Sequence, residues 1–302
     1  MSAKARATSI DPSRLRLALV ATGGIALLEC AGGFLSHSIA LLTDSAHVFL
    51  DVLALLIALG AYHLAARPAT RRQTFGFGRT EILAAFLNGA LLFAVTILIV
   101  VEAIKRFTAP QMPSGPLMAA VAAVGLCVNL ALSALLARGM KQNVNVRAAV
   151  MHIAGDALAA FGVVVAGLAI WAFGWVRLDP ALSLVIAAII FAGVISILRE
   201  AVDVLLESVP PHADIESVAA RIRRVDGVEA VHDLHVWTIG SGRYALSAHV
   251  LLPDKSISEA TAILQQIDRS MREEFAISHV TVQFECESCA EDDRVICTQR
   301  VP

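Results

Sequence analysis

Apolar residues run in six long blocks before residue 206 and in short periodic groups after it. The blocks cover about 15–35, 38–66, 80–104, 115–138, 146–173 and 179–199. Each is close to the roughly 20 residues a helix needs to cross a bilayer. The second is longer than the hydrocarbon requires, so its end is expected to project into water. Between blocks, "APQMPSGP" (109–116) and "GWVRLDP" (174–180) are rich in turn residues. Beyond residue 206 the periods change. "DIESVAARIRRV" (214–225) and "SISEATAILQQIDRSMREEF" (256–275) have the apolar spacing of amphipathic helices. "VEAVHDLHVWTIG" (228–240), "RYALSAHVLL" (243–252) and "SHVTVQFE" (278–285) read as strands, the first two joined through Ser241 and Gly242.

Composition places this pattern in a membrane. The 302 residues are 57% hydrophobic and only 17% charged, with mean hydropathy +0.70. The net charge of −2 gives no reason to invoke nucleic acid. Basic residues set the orientation. Lys4, Arg6, Arg14 and Arg16 precede the first block. Arg67, Arg71, Arg72 and Arg79 lie between the second and third, and Arg138, Lys141 and Arg147 between the fourth and fifth. The opposite side has Lys105, Arg106 and Arg177. The excess of Lys and Arg belongs in the cytoplasm, which puts both termini there. The first apolar run is too long for a cleavable signal peptide and is followed by further spans. The expected fold is therefore an α-helical membrane protein. Six transmembrane helices (15–205) follow a cytoplasmic segment (1–14). A cytoplasmic α+β domain of order α-β-β-α-β (206–290, ferredoxin-like, with helices on one face of a small sheet) and a tail (291–302) complete the chain. The five cysteines, two in apolar blocks and three in the tail, do not form a disulfide framework.

Candidate chemistry lies inside the apolar blocks. "SIALLTDSAHVFLDVLALLIALGAYHL", from Ser38, carries His47 and Asp51 four residues apart, and "MHIAGDALAA" repeats the spacing with His152 and Asp156. Residues four apart share a helix face. If the two faces meet, two imidazoles and two carboxylates converge, a set suited to a tetrahedral divalent metal, Zn²⁺ first. Ionisable groups in hydrocarbon are costly and mark pathways or pairs. Structural hydrogen bonding and a pure proton relay are the competing readings. Asp44 is assigned a structural or access-path role. Glu29, Asn88 and Asn129 are read as ties between helices, His63 as solvated, and Arg79 and Glu81 as salt-bridging groups. Gly23, Gly24, Gly32, Gly33, Gly155 and Gly162 are expected to allow close helix contact.

"LLTDSAHVFLDVLAL", "FGFGRTEILAAFLNG", "MHIAGDALAA" and "HDLHVW" together resemble the cation diffusion facilitator family, in its zinc-transporting branch, over most of the chain. The resemblance implies a homodimeric exporter with the transport metal on His47, Asp51, His152 and Asp156. It also implies zinc ligands in the cytoplasmic domain at His232, His249, His279 and Glu285. Cys286 and Cys289, in the C-x-x-C "CESC", look like thiolates completing a second zinc, sometimes on the neighbouring subunit. His235 is read as a core or supporting histidine. Some bacterial relatives carry a further site in the loop between the second and third spans. Here Gln73, Phe77 and Arg71 stand where those relatives have histidines and an acid, so no metal is expected there. The segment 138–147 has no histidine cluster.

The sequence thus points to a proton-coupled Zn²⁺ exporter of alternating-access type, not an enzyme, with H⁺ as coupling ion. Cd²⁺ or Co²⁺ are further cargoes, and Mn²⁺ fits two imidazoles less well. A compact chain without a His-rich loop favours a bacterial inner membrane. From other classes, a membrane zinc sensor that does not move metal stays open. An intramembrane metalloprotease lacks its H-E-x-x-H motif.

Overall fold

The computed structural model describes residues 12–137 and 144–286. Six long helices come first: α1 (Pro12–Ser36), α2 (Ile39–Ala65), α3 (Arg79–Thr108), α4 (Gly115–Ala137), α5 (Val144–Phe173) and α6 (Leu178–Leu205). Five of them, α2 to α6, are long and apolar enough to cross a membrane, and Val20–Ser36 of α1 is a shorter apolar stretch. Large apolar side chains stand outward on all six, among them Leu27, Leu55, Leu98, Leu130, Leu158 and Ile189. A water-soluble bundle would turn such residues inward.

The chain divides into two compact units, Met1–Ile57 with Leu87–Ser196, and Ala58–Phe86 with Ile197–Pro302. In the first unit α4 packs on α1 and α5. The α4–α5 crossing is close because two glycines face it. A Cβ on Gly115 would fall 2.5 Å from the Gly167 carbonyl oxygen, and one on Gly167 would meet the Ala119 amide at 2.8 Å. The glycines expected to mediate packing divide. Gly32 and Gly33 press on Val121 and Leu42, and Gly162 meets Leu182, whereas Gly23, Gly24 and Gly155 face open space. Hydrophobicity along a helix cannot say which side of it a glycine occupies.

The second unit contains α7 (Ile215–Arg223), β1 (Ala230–Gly240), β2 (Arg243–Leu251), α8 (Ile257–Phe275) and β3 (Ile277–Glu285). The sheet order is β1-β2-β3, with β1 and β2 antiparallel and β2 and β3 parallel. A parallel neighbour requires a crossover, which α8 provides. Val218 and Ile222 of α7, and Ile263, Ile267 and Met271 of α8, repeat every four residues and are buried against Leu234, Leu246 and Val250. Both helices start on well-made caps. Asp214 accepts from the Ser217 hydroxyl and amide, and Ser256 and Glu259 form a capping box. Hydrogen bonds, side chain then backbone, hold the Asp214 and Glu259 carboxyls below their usual range. A lowered folded value means that each cap contributes fully above the ordinary carboxylate range, about pH 4–4.5, and that this is lost as the pH falls below that range through the folded value.

Candidate metal centres

α2 and α5 meet through the faces that the i, i+4 spacing marks. His152 Nε2 lies 3.0 Å from Asp51 Oδ2 and 3.9 Å from Asp156 Oδ2, and His47 Nε2 lies 3.6 Å from Asp51 Oδ2. The two imidazole rings meet edge to face, with centroids 6.0 Å apart. One donor atom from each of His47, His152 and Asp156 fits within 4.8 Å of the others. Asp51 stands beside this group of three, with Oδ2 in contact with both histidines, and is not itself within that mutual distance of the other donors. His47 Nδ1 is buried and has no hydrogen-bond partner. Two neutral imidazoles and two carboxylates balance a divalent charge with borderline and hard donors, a set that fits Zn²⁺ as substrate.

The second cluster lies on the sheet. In register, His232 of β1 faces His249 of β2, and Glu285 of β3 faces Leu251. Glu285 Oε1 is 2.9 Å from His249 Nδ1 and its Oε2 is 3.2 Å from His232 Nε2. The Glu285 side chain is 7% exposed, and Oε2 has no well-aligned hydrogen bond among the described residues. A buried carboxylate oxygen facing two imidazoles fits a cation between them.

His279 does not join this group. It pairs with Ala245, six residues before Glu285 on the same strand, and its ring stands edge-on to Phe75 with centroids 5.4 Å apart. Of the four expected ligands, the structure brings three together among the described residues. Cys286 is exposed, immediately after β3, and Cys289 lies outside the described residues. His235 is not a core residue either: its side chain is 52% exposed, and Nε2 is 3.1 Å from Asp233 Oδ1.

Asp233 is the acid that sequence reasoning missed. Strict alternation from His232 would send it to the helix-covered face with Val231. The strand instead bulges between His232 and His235, with φ 49° at Asp233. The bulge turns the carboxylate to the histidine face, 3.6 Å from His249 Nε2. The motif letters H-D-L-H carry no signal for that turn.

Arg79 and Glu81 also find partners other than each other. Arg79 pairs with Glu207 at 2.8 Å and reaches the Thr238 carbonyl, while Glu81 accepts from Ser241. Asn88 ties α3 to the Ala54 carbonyl of α2. His63 is exposed and bonds back to the Leu59 carbonyl.

The chain matches the cation efflux transmembrane domain over residues 15–206 and the cation efflux protein cytoplasmic domain over residues 210–287. Its relatives include the cadmium, cobalt and zinc/H(+)-K(+) antiporter of Bacillus subtilis (strain 168), 35% identical over 95% of this chain and 93% of the relative. The zinc transporter ZitB of Escherichia coli (strain K12) is 39% identical over 93% of this chain and 89% of the relative. Among solved structures, the metal-bound C-terminal domain of the CzcD transporter from Cuprividus metallidurans is 34% identical, covering 24% of this chain and 99% of its own, with a TM-score of 0.22. These relatives are named as transporters, and none supports the reading of a sensor that leaves metal in place. Five apolar helices of spanning length and matches over most of each chain together make this a multi-pass integral membrane protein. The chain belongs to the cation efflux family, the cation diffusion facilitators.

Proposed function

We propose that the protein is a Zn²⁺/H⁺ antiporter that moves zinc out of the cytoplasm, with His47, Asp51, His152 and Asp156 as the transport ligands. The observation that carries this is the 3.0 Å contact between His152 Nε2 and Asp51 Oδ2 across two helices. The atoms that would hold the cation are close enough to share a proton. Zinc needs neutral imidazole and ionised carboxylate, so metal and protons compete for the same four groups. An imidazole nitrogen can hold either a proton or the metal but not both, so a proton gradient can drive the exchange. Loading from the cytoplasm then displaces protons, and reorientation followed by reprotonation releases the metal on the far side.

The basic loops support cytoplasmic termini, and the bacterial relatives support an inner membrane. In the cytoplasmic domain, His232, His249 and Glu285 would hold a resident zinc. Cys286 and Cys289 would reach a second ion, in the same chain or across a homodimer. Such a zinc tethers the domain's strands and lowers the free energy of whichever assembly binds it. Replacing Cys286 and Cys289 with serine is expected to lower the zinc bound per chain, read by elemental analysis, while transport continues. Unchanged stoichiometry would leave the thiols without a metal role.

The test of function is uptake into inside-out vesicles with a metal panel and an imposed pH gradient. Zinc accumulation should rise when the interior is acid and collapse with a protonophore. Accumulation indifferent to the gradient would reject proton exchange, and no accumulation would reject transport. Metal choice should also respond to His47→Asp, which exchanges a borderline nitrogen for a hard oxygen. Cd²⁺ or Mn²⁺ should gain on Zn²⁺ in competition flux. An unchanged metal ranking would place His47 outside the coordination sphere.

A further inference from the structure

The start of α2 is held by the start of α6. Asp179 is 2% exposed. It accepts hydrogen bonds from Ser38 Oγ at 2.5 Å, from the Ile39 amide at 2.8 Å and from the Ala40 amide at 3.1 Å. The first amides of a helix have no partner within it, and Asp179 satisfies two of them with a negative charge at the positive end of the helix. One turn further on, Thr43 Oγ1 and Ser183 Oγ are 2.6 Å apart, and both residues are fully buried. Thr43 spends its single proton on the Ile39 carbonyl, so Ser183 is the donor. Three residues in this joint, Ser38, Thr43 and Ser183, have no exposed surface at all.

The joint lies in line with the transport ligands. Thr43, His47 and Asp51 follow each other at i, i+4 and i+8 along one row of α2. Alternating access must move that row relative to other helices, and α2 could do so by parting from α6 or by turning on it. Parting would leave a carboxylate, two amides and two hydroxyls, all in a buried joint, without these partners. Charge-assisted bonds of this kind are roughly twice as strong as neutral ones. Turning keeps all of them.

We propose that Asp179 and Ser183 form a fixed pivot for α2, one that stays closed throughout the transport cycle, with Asp179 as a positioning residue. The proposal rests on the exchange reading given above, since without a cycle there is nothing to pivot.

The test uses the full chain in proteoliposomes. In Thr43→Cys/Ser183→Cys the two sulfurs replace hydroxyls already in contact, close to the short separation a disulfide needs. After oxidation, with the bridge mapped by peptide mass spectrometry, zinc flux should stay within about twofold of the same protein after reduction, because a joint that never opens is not a gate. Thr43→Cys alone, oxidised in parallel, reports on the native cysteines. Flux lost on oxidation and restored by reduction would overturn the pivot while leaving the transporter reading intact. A wild type without flux would sink both. If the double variant does not fold, Asp179 itself decides. Asp179→Asn should lower turnover with little change in half-saturating zinc, and Asp179→Glu should recover part of it. Unchanged turnover, or raised half-saturation at full turnover, would overturn the proposal.

Discussion

Asp51→Ala is expected to abolish zinc transport while the protein stays folded. Asp51 is the residue most completely engaged at the transmembrane centre, 3.0 Å from one histidine and 3.6 Å from the other. Alanine removes an anionic donor from a site that must offset two positive charges, and it frees both imidazoles from their shared partner. The three donors that remain supply one carboxylate against a divalent charge, too little to hold the cation as the full set would. Asp51→Asn keeps the volume and loses the charge, so it should fail nearly as badly. If asparagine transported normally, Asp51 would be holding His152 in place without binding cargo. Zinc flux in proteoliposomes, with circular dichroism and gel filtration to verify folding, separates these outcomes. Flux within tenfold of wild type for Asp51→Ala would remove Asp51 from the ligand set.

The meeting of the α2 and α5 faces was legible because its signal is local. Four-residue spacing on a helix fixes a shared face whatever the rest of the chain does, and two copies of His-x-x-x-Asp in apolar blocks left few alternatives. The six long helices were legible for a related reason. Block length and hydropathy are properties of contiguous sequence, and α2, read as 38–66, runs Ile39–Ala65. The strands were legible from their period of two, and β1 and β2 start and stop within two residues of expectation.

What stayed hidden depends on register and on distant partners. Asp179 reads as one more polar residue in a turn-rich connector. Its role comes from Ser38, 141 residues away. Asp233 carries no signal in the sequence, since alternation places it opposite His232 and only the bulge brings it to the histidine face. His279 was included on resemblance, which names residue types but cannot give the strand register. On a strand rising about 3.3 Å per residue, six positions separate it from Glu285 by about 20 Å.

His279 and Glu285 therefore make opposite predictions in the cytoplasmic domain. Glu285 contacts both imidazoles at 2.9 and 3.2 Å with a side chain almost wholly buried. Glu285→Ala removes the only carboxylate of the three-residue group and leaves His232 buried without its partner. Zinc affinity there should fall by roughly 100-fold or more, on the scale of truncating one member of a buried pair. His279→Ala should change it by less than about threefold, a difference below 1 kcal/mol, because its ring packs on Phe75 and not on the cluster. The measurement is a competition titration with a chromogenic chelator on the full chain. Asp51→Ala and Asp156→Ala in the background silence the transmembrane centre. The same titration reports whether a partner subunit brings its own histidine to the group. A large loss with His279→Ala would show that assembly completes the site with this residue, whereas a small loss with Glu285→Ala would move the metal away from the sheet and toward the two cysteines.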